Sequence, residues 1–508
     1  MTAPSLSHLL RERIARYARV GRTALLGPTG STSYAELGTM IDGYASAFRP
    51  VAPGALVGVP ASRSADSVAR FFGAMQAGGC PCFIEPGLTV EALLPRAHAV
   101  GLQRIVLDDE SEALARDLEH GGLQVHRGTD LLQESRESSG AGFTCASLGP
   151  ADLAMTQLTS GSTGLPKGVL LTHGNLLRHA AGIIERTRLT AADRLLHVMP
   201  LHHTNGVNNQ LIAPLLVGAT VVLAERFRAE DVEDQIAGHG VTYLTGVPTM
   251  YSRMLPHLRD QAKLRSLRFL RCGSAPITVR LHEEVEAAFG VPLVVSYGLS
   301  EATCTSTMNP VGARRIGTVG TALRGQQVGI VSSRTGAEAP AGAQGEIRIA
   351  GPCLMRGYTG PESESPIRDG WLRTGDLGCF DGDGYLTVTG RMKEVIARGG
   401  EDLSPRAIED VLERHPGVAA CCVVGAPHPD LGETPVAFVV RSGVEPVDAA
   451  ELTALVRDGL SRVHAPTAVR FLESLPVNAV GKVDRKALEA CSTRPAQLLD
   501  GSDRPSDQ

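Results

Sequence analysis

Two short runs of this chain, ATVVLAE at 219–225 and VPLVVSYG at 291–298, are apolar almost without interruption. A strand with one wet face alternates apolar and polar side chains; a strand covered on both faces does not. These runs therefore predict buried strands in a sheet flanked by helices. Helices are legible nearby. Ser33 to Glu36 forms a capping box, and Leu37, Ile41, Tyr44, Ala45 and Phe48 follow at helical spacing. Residues 55–60 (ALVGVP) read as a strand and 64–77 as a helix. Alternation of this kind specifies α/β layers.

A chain of 508 residues is long enough for two or more domains. The net charge of −5 gives no footprint for nucleic acid or a membrane surface, and aromatics at 4% are too few for stacking platforms. No apolar run is long enough for a membrane span. The N-terminal 20 residues lack the basic start and apolar stretch of a signal peptide and read as an amphipathic helix, so a cytoplasmic location is expected. The ten cysteines sit in apolar or loop settings. Cys80 and Cys82 form one C-x-C without a second half, a poor zinc site, and the cysteines read as reduced core residues.

Near residue 390 the texture changes. CFDGDGYLTVTG carries Asp-Gly pairs that mark a tight turn between strands. After it a compact set is expected: helix 404–415, strands 418–424 and 435–440, helix 449–462. Ser404-Pro405 is a good helix start. The reading is a large N-terminal α/β domain of layered sheets and helices, 1–390; a hinge, 391–393; a smaller, mobile α+β lid, 394–491; and a disordered tail, 492–508.

The chemically distinctive segment is TSGSTGLPKG, 159–168. It offers hydroxyls from Thr159, Ser160, Ser162 and Thr163, backbone amides from Gly161 and Gly164, and the charge of Lys167. It is not a Walker loop. Lys167 is preceded by Pro166, which has no N–H for a phosphate, and followed by Gly168. Residues 169–172 are strand-like, with the next helix expected near Asn175, so the loop joins two strands and does not feed a helix N-terminus. By itself it fits either a phosphate-wrapping loop or a Gly/Ser surface turn.

TSGSTGLPKG resembles the signature loop of the adenylate-forming (AMP-binding) superfamily, which includes acyl-CoA synthetases, luciferases and peptide-synthetase adenylation domains. Other motifs follow in the family's order. YGLSEAT (297–303) resembles its YGxTE segment, RTGDLG (373–378) its RTGD, GRMKEVIARGGEDLSP (390–405) its hinge and NAVGKVDRKAL (478–488) its C-terminal lysine motif. The resemblance covers nearly the whole chain and is to stand-alone members of the acyl-CoA synthetase, 4-coumarate-CoA ligase type.

The resemblance implies two half-reactions. A carboxylic acid attacks the α-phosphate of ATP, giving an acyl-adenylate and pyrophosphate; a thiol, most commonly that of coenzyme A, then displaces AMP. It implies Mg2+ held by Glu301 with Thr159, nucleotide contacts from Gly273, Ser274, Ala275, Pro276, Ser296, Tyr297, Gly298 and Ser300, the ribose on Asp376, and Arg391 at ribose or phosphate. Lys482 bridges carboxylate and phosphate. Lys393 marks the hinge, Gly400 lies on the pantetheine path, and His203 gates the carboxylate site. The active site is expected between the two domains. Read without the family, Glu301 and Lys482 are surface residues, Asp376 a turn residue and His203 a packed histidine.

The acyl pocket is expected from His202, His203, Asn205, Val207, Asn208, Gly246, Cys272, Gly298 and Cys304. Asn205, Asn208 and Asn209 favour a polar or modest-sized acid, aromatic or dicarboxylic, or else serve a core network. No arginine in this set offers a clamp for a second carboxylate, which weighs against a dicarboxylic acid. The expected partners are a small carboxylic acid and CoA, with a carrier protein, another nucleophile (including nitrite toward an aromatic amine) or a non-catalytic adenylate-binding role as alternatives. The chain lacks a carrier motif and is expected to act alone, as a monomer or homodimer.

Overall fold

The computed structural model describes residues 4–28, 30–49, 51–108, 112–138, 147–160, 166–332, 335–359, 365–477 and 483–492, the side chains of Ser138, Ser160 and Pro166 excepted. The chain divides into two compact units. The first holds 1–276, 283–329 and 348–373; the second holds 277–282, 330–347 and 374–508.

The two apolar runs lie in one sheet of the first unit. Among the described residues it has nine strands in the order Thr321–Ala322, Thr307–Met308, Leu293–Tyr297, Phe269–Cys272, Tyr243–Gly246, Arg194–His197, Thr220–Leu223, Thr23–Gly27, Gly30–Ser33. The six inner strands are parallel, and antiparallel strands close both edges. A second, four-stranded parallel sheet runs Cys80–Ile84, Leu56–Pro60, Arg104–Leu107, Gln124–Arg127.

Ser33 caps the helix Tyr34–Ala47 with the full capping box, and Leu37, Ile41 and Tyr44 are buried. Ser64 caps the next helix, Ala65–Gln76, through the amide of Ser67. The N-terminal helix Leu6–Ala18 buries Leu6, Leu10 and Ile14, the i, i+4, i+8 stripe of an amphipathic helix. All three elements feed one core that also contains Leu195, Val221, Phe269 and Val294 from the large sheet.

The hairpin around the Asp-Gly turn forms as expected: Trp371–Phe380 pairs antiparallel with Leu386–Arg391, with Asp376 opposite Arg391. Beyond it, Glu401–Leu403, Ile396–Arg398, Gly432–Arg441, Val418–His428 and Ala468–Leu472 make a sheet. Helices Pro405–Leu412 and Ala449–Gly459 cover it, burying Ile408, Leu412, Leu452 and Val456 with Val423 and Val439. Both long strands run further than expected, to His428 and from Gly432, because they pair as one continuous antiparallel ribbon.

Candidate active site

The phosphate-loop candidate springs from two paired strands. Leu153–Ser160 and Pro166–Thr172 run antiparallel, with Thr159 opposite Lys167. Gly161, Ser162, Thr163, Gly164 and Leu165 lie outside the described residues. The helix that follows starts at His173, two residues earlier than expected, because Thr172 caps it and Asn175 returns the bond. Thr159 Oγ1 donates to the carbonyl of Lys167 at 3.3 Å. Gly168 is fixed from its other side by Thr359, whose Oγ1 accepts its N–H and whose own N–H bonds its carbonyl.

A third strand, Gly357–Tyr358, pairs with the outer side of Pro166–Thr172, placing Tyr358 opposite Val169. This short strand carries a residue that the sequence reading missed. Tyr358 Oη donates to Glu301 Oε1 at 2.7 Å, and Lys167 Nζ stands 5.0 Å from the centre of the Tyr358 ring. The phenol thus lies between the acidic and basic candidates. Burial first, and the Glu301 charge second, hold its proton well above the usual tyrosine range, so it stays a donor.

Glu301 sits in a single 3-10 turn, Ser300–Ala302, directly after the Leu293–Tyr297 strand. Its carbonyl accepts from the amide of Met355, tying the turn to the segment that leads into Tyr358. Ser300 Oγ lies 2.7 Å from Thr204 Oγ1, so the turn also meets the residue after His203. Gly298 leaves no choice of side chain: a Cβ there would lie 2.0 Å from the carbonyl oxygen of Cys304. The return is strained, since Thr303 and Cys304 hold φ values of 64° and 112° without being glycine. Thr303 is held by its hydroxyl on the Cys353 carbonyl and by Asn208 Nδ2 on its own carbonyl at 2.9 Å.

At the ends of neighbouring parallel strands, Gly246, Cys272 and Gly273 are buried. A Cβ on Gly273 would stand 3.0 Å from Ser296 Oγ and 3.3 Å from the Ser296 carbonyl oxygen, a tight approach of neighbouring strands. Ser274 follows in the left-handed region at φ 66° and is exposed. Carboxyl ends of parallel strands are where α/β folds place ligands.

The asparagines lie on a π-helix, Asn205–Ile212, in which every residue is buried. Such widened turns are rare and cluster at functional sites. Asn209 Nδ2 bonds Asn205 Oδ1 at 2.9 Å and reaches Cys304 Sγ at 3.2 Å and Thr305 Oγ1 at 3.3 Å. Val207 packs in the main core. The His202 and His203 rings meet at a tilt of 51° with centres 4.4 Å apart, and burial, then Arg63, lowers the pKa of His202.

The second unit carries the remaining candidates. Arg391 Nε bonds the buried Asp376 Oδ1 at 2.9 Å across the hairpin. Lys393 is exposed in the turn Met392–Glu394. Gly399 and Gly400, at φ 59° and 87°, are the two central residues of a hairpin that pairs Arg398 with Glu401. Two left-handed residues in a two-residue hairpin demand glycine for the turn alone. Lys482 lies outside the described residues, as does the tail 493–508.

No group of three or more His, Cys, Asp or Glu among the described residues could hold a metal. Magnesium takes one or two carboxylates and completes its shell with phosphate and water. Glu301 supplies a hard carboxylate with one oxygen already tethered, and its setting fits that use. Among the described residues no helix is long and apolar enough to cross a membrane.

The model of the AMP-binding enzyme family matches residues 10–359, and that of the AMP-binding enzyme C-terminal domain matches residues 407–482. A sulfoacetate–CoA ligase of Cupriavidus necator is 40% identical over 342 residues, covering 66% of this chain and 66% of its own length. An indoleacetate–CoA ligase of Aromatoleum aromaticum is 34% identical over 507 residues, 93% of this chain and 96% of its own. Among solved structures, ATP-bound MatB from Rhodopseudomonas palustris superposes with a TM-score of 0.88 at 28% identity, covering 97% of this chain and 99% of its own.

Proposed function

Because the chain belongs to the AMP-binding enzyme family, we propose that it is an acid–thiol ligase that makes an acyl-CoA through an acyl-adenylate. In the first half-reaction a carboxylate oxygen bonds to the α-phosphorus of ATP, the bond to the β-phosphate oxygen breaks, and pyrophosphate leaves. In the second, the CoA sulfur bonds to the acyl carbon, the mixed anhydride opens, AMP leaves with the electron pair, and the thiol proton passes to solvent.

The observation that carries the site assignment is the cluster that Tyr358 and Glu301 form with Lys167, which lies on a strand flanking 161–165. Negative charge grows on the phosphorus oxygens in the transition state, and preorganised cations and dipoles act on that change. Lys167 supplies a cation, Thr159 a hydroxyl and Glu301 a carboxylate for Mg2+, which when bound adds positive charge to the phosphate oxygens. Gly273 to Pro276, Ser296, Tyr297 and Ser300 line the nucleotide, Asp376 and Arg391 take the ribose, and Lys482 joins the carboxylate to the α-phosphate. The division into 1–390, a hinge at 391–393 and a lid at 394–491 is retained, with Lys393 and Gly400 serving the thioester step. The cytoplasm is its proposed location. The relatives act on acids as unlike as sulfoacetate and indoleacetate, so family membership does not select the acid.

The test is pyrophosphate release from ATP and Mg2+ against aryl, short-chain, dicarboxylic and amino acids, with and without CoA, for the natural protein and Lys482→Ala. We expect release with one class of acid, turnover that needs CoA, and its loss in the variant while circular dichroism is unchanged. Release that ignores CoA would transfer the second step to a carrier protein or another nucleophile. An unaltered rate in Lys482→Ala would remove that lysine from the mechanism.

A further inference from the structure

One residue before Cys272, inside the buried strand Phe269–Cys272, stands an arginine. The side chain of Arg271 is almost wholly enclosed, at 1% exposure. Among the described residues no carboxylate pairs with it, and its Nε and Nη2 have no hydrogen-bond partner. Guanidinium stays charged at any working pH, and an enclosed charge is tolerated only with a counter-charge or a full set of hydrogen bonds. Other enclosed arginines among the described residues show such compensation: Arg70 has Asp66 and Asp108, Arg406 has Glu413, and Arg63 has the carbonyls of His197, Val198 and Ala224.

The surroundings of Arg271 are also short of partners. In the parallel ladder Arg271 is level with Thr245, and Phe269 with Tyr243, so these side chains share one face of the sheet. Thr245 Oγ1 and Tyr243 Oη are buried without partners. His179 on the helix His173–Thr187 accepts the amide of Thr305 at Nε2, and its buried Nδ1 has no partner. Burial and then the Arg271 charge depress the His179 pKa to about 3, so no second cation competes for an anion there. Cys304, whose thiol burial pushes up to about 11, is near enough to feel the guanidinium and is neutral. The result is an uncompensated positive charge amid neutral donors, near Cys304, which is expected in the acyl pocket and meets Asn209 Nδ2 at 3.2 Å.

We propose that Arg271 is the receptor for a second anionic oxyacid group on the substrate, so that the acid activated is a dicarboxylic or sulfonated carboxylic acid. The proposal rests on the ligase reading above. The arginine that the sequence reading found missing is present; it was passed over because it precedes Cys272 within the strand. A planar fork of donors suits carboxylate and sulfonate alike, and a site with buried donors strongly rejects an analogue that leaves them unpaired.

The experiment uses matched acids in which a methyl replaces the second acid group: succinate and butanoate, malonate and propanoate, sulfoacetate and propanoate, terephthalate and 4-toluate. The kcat/KM for pyrophosphate release is measured for the natural protein and for Arg271→Met, whose apolar side chain suits the enclosed site. One dianionic acid should exceed its methyl partner by at least about a hundredfold, and Arg271→Met should collapse that ratio. Carboxylate and sulfonate arms identify the group. A preference for the methyl acids, or a ratio that Arg271→Met leaves unchanged, overturns the proposal with the ligase reading intact. Binding is read separately, by the thermal shift from the same acids without ATP. If no acid releases pyrophosphate, the ligase reading falls, and an Arg271-dependent shift with a dianion alone still upholds the anion site; the absence of that shift sinks it.

Discussion

Tyr358 does the joining among the candidate residues. Its hydroxyl fixes one oxygen of Glu301 and its ring faces Lys167. A hydrogen bond to a charged group contributes roughly 1.5–3 kcal/mol. Tyr358→Phe keeps the ring and loses the donor, so pyrophosphate release should slow by about ten- to a hundredfold, the same energy scale read as a rate. More Mg2+ should be needed for half-maximal rate. An unchanged Mg2+ requirement would leave Tyr358 with packing only. Sequence reasoning reached Glu301 and Lys167 because they sit in recognisable motifs. Tyr358 sits in a plain Arg-Gly-Tyr, and only the pairing of its strand with Pro166–Thr172 brings it near. Arg271 did leave a signal: a charge inside the run RFLRC, where an interior strand expects none.

At the scale of elements, the caps and apolar stripes were readable because they are local. Ser33, Ser64 and Ser404 each cap the helix that follows them. The π-helix was not readable, since its widened turns answer to packing and not to propensity. The helix Arg485–Ser492 shows a dependence of the same non-local kind. Its first residue reaches Glu409 at 2.6 Å, the Val423 carbonyl at 2.6 Å and Glu394, next to Lys393, at 3.4 Å. Glu409 is 2% exposed, so removing Arg485 leaves a buried carboxylate with only Arg406 at 3.7 Å and the Val423 amide at 2.8 Å. Arg485→Met should cost about 3 kcal/mol in urea unfolding. Combining it with Glu409→Gln, which removes the charge and keeps an acceptor for the Val423 amide, should recover part of that loss. Equal losses in the single and double variants would show that the pair carries no such energy.

For the whole molecule, the two-part organisation was legible as a change of texture near 390, whereas the contact pattern interleaves the units through 277–282 and 330–347. Interleaving is set by which strands pair, and composition carries no record of it. One property of the first unit as a whole follows from its buried histidines. His173, His179 and His197 have pKa values lowered from 6.5 to about 4, 3 and 3, in each case chiefly by burial. Between pH 6.5 and about 4 the unfolded chain therefore binds protons that the folded chain refuses. Their contribution is fully present above pH 6.5 and is lost as pH falls through that window, on the order of 2 kcal/mol each at pH 5. Glu413 in the second unit has the opposite sign: burial, against the pull of Arg406, raises its carboxyl, so stability falls there as pH rises above the ordinary carboxylate range. The single tryptophan, Trp371, stands in the first unit, at the start of a strand that runs on into the second. Urea midpoints read by its fluorescence should drop steeply between pH 6.5 and 5. His173→Gln, which cannot take up a proton, should flatten that slope by about one proton. A slope that the substitution does not change would mean that His173 titrates alike in the folded and unfolded chains.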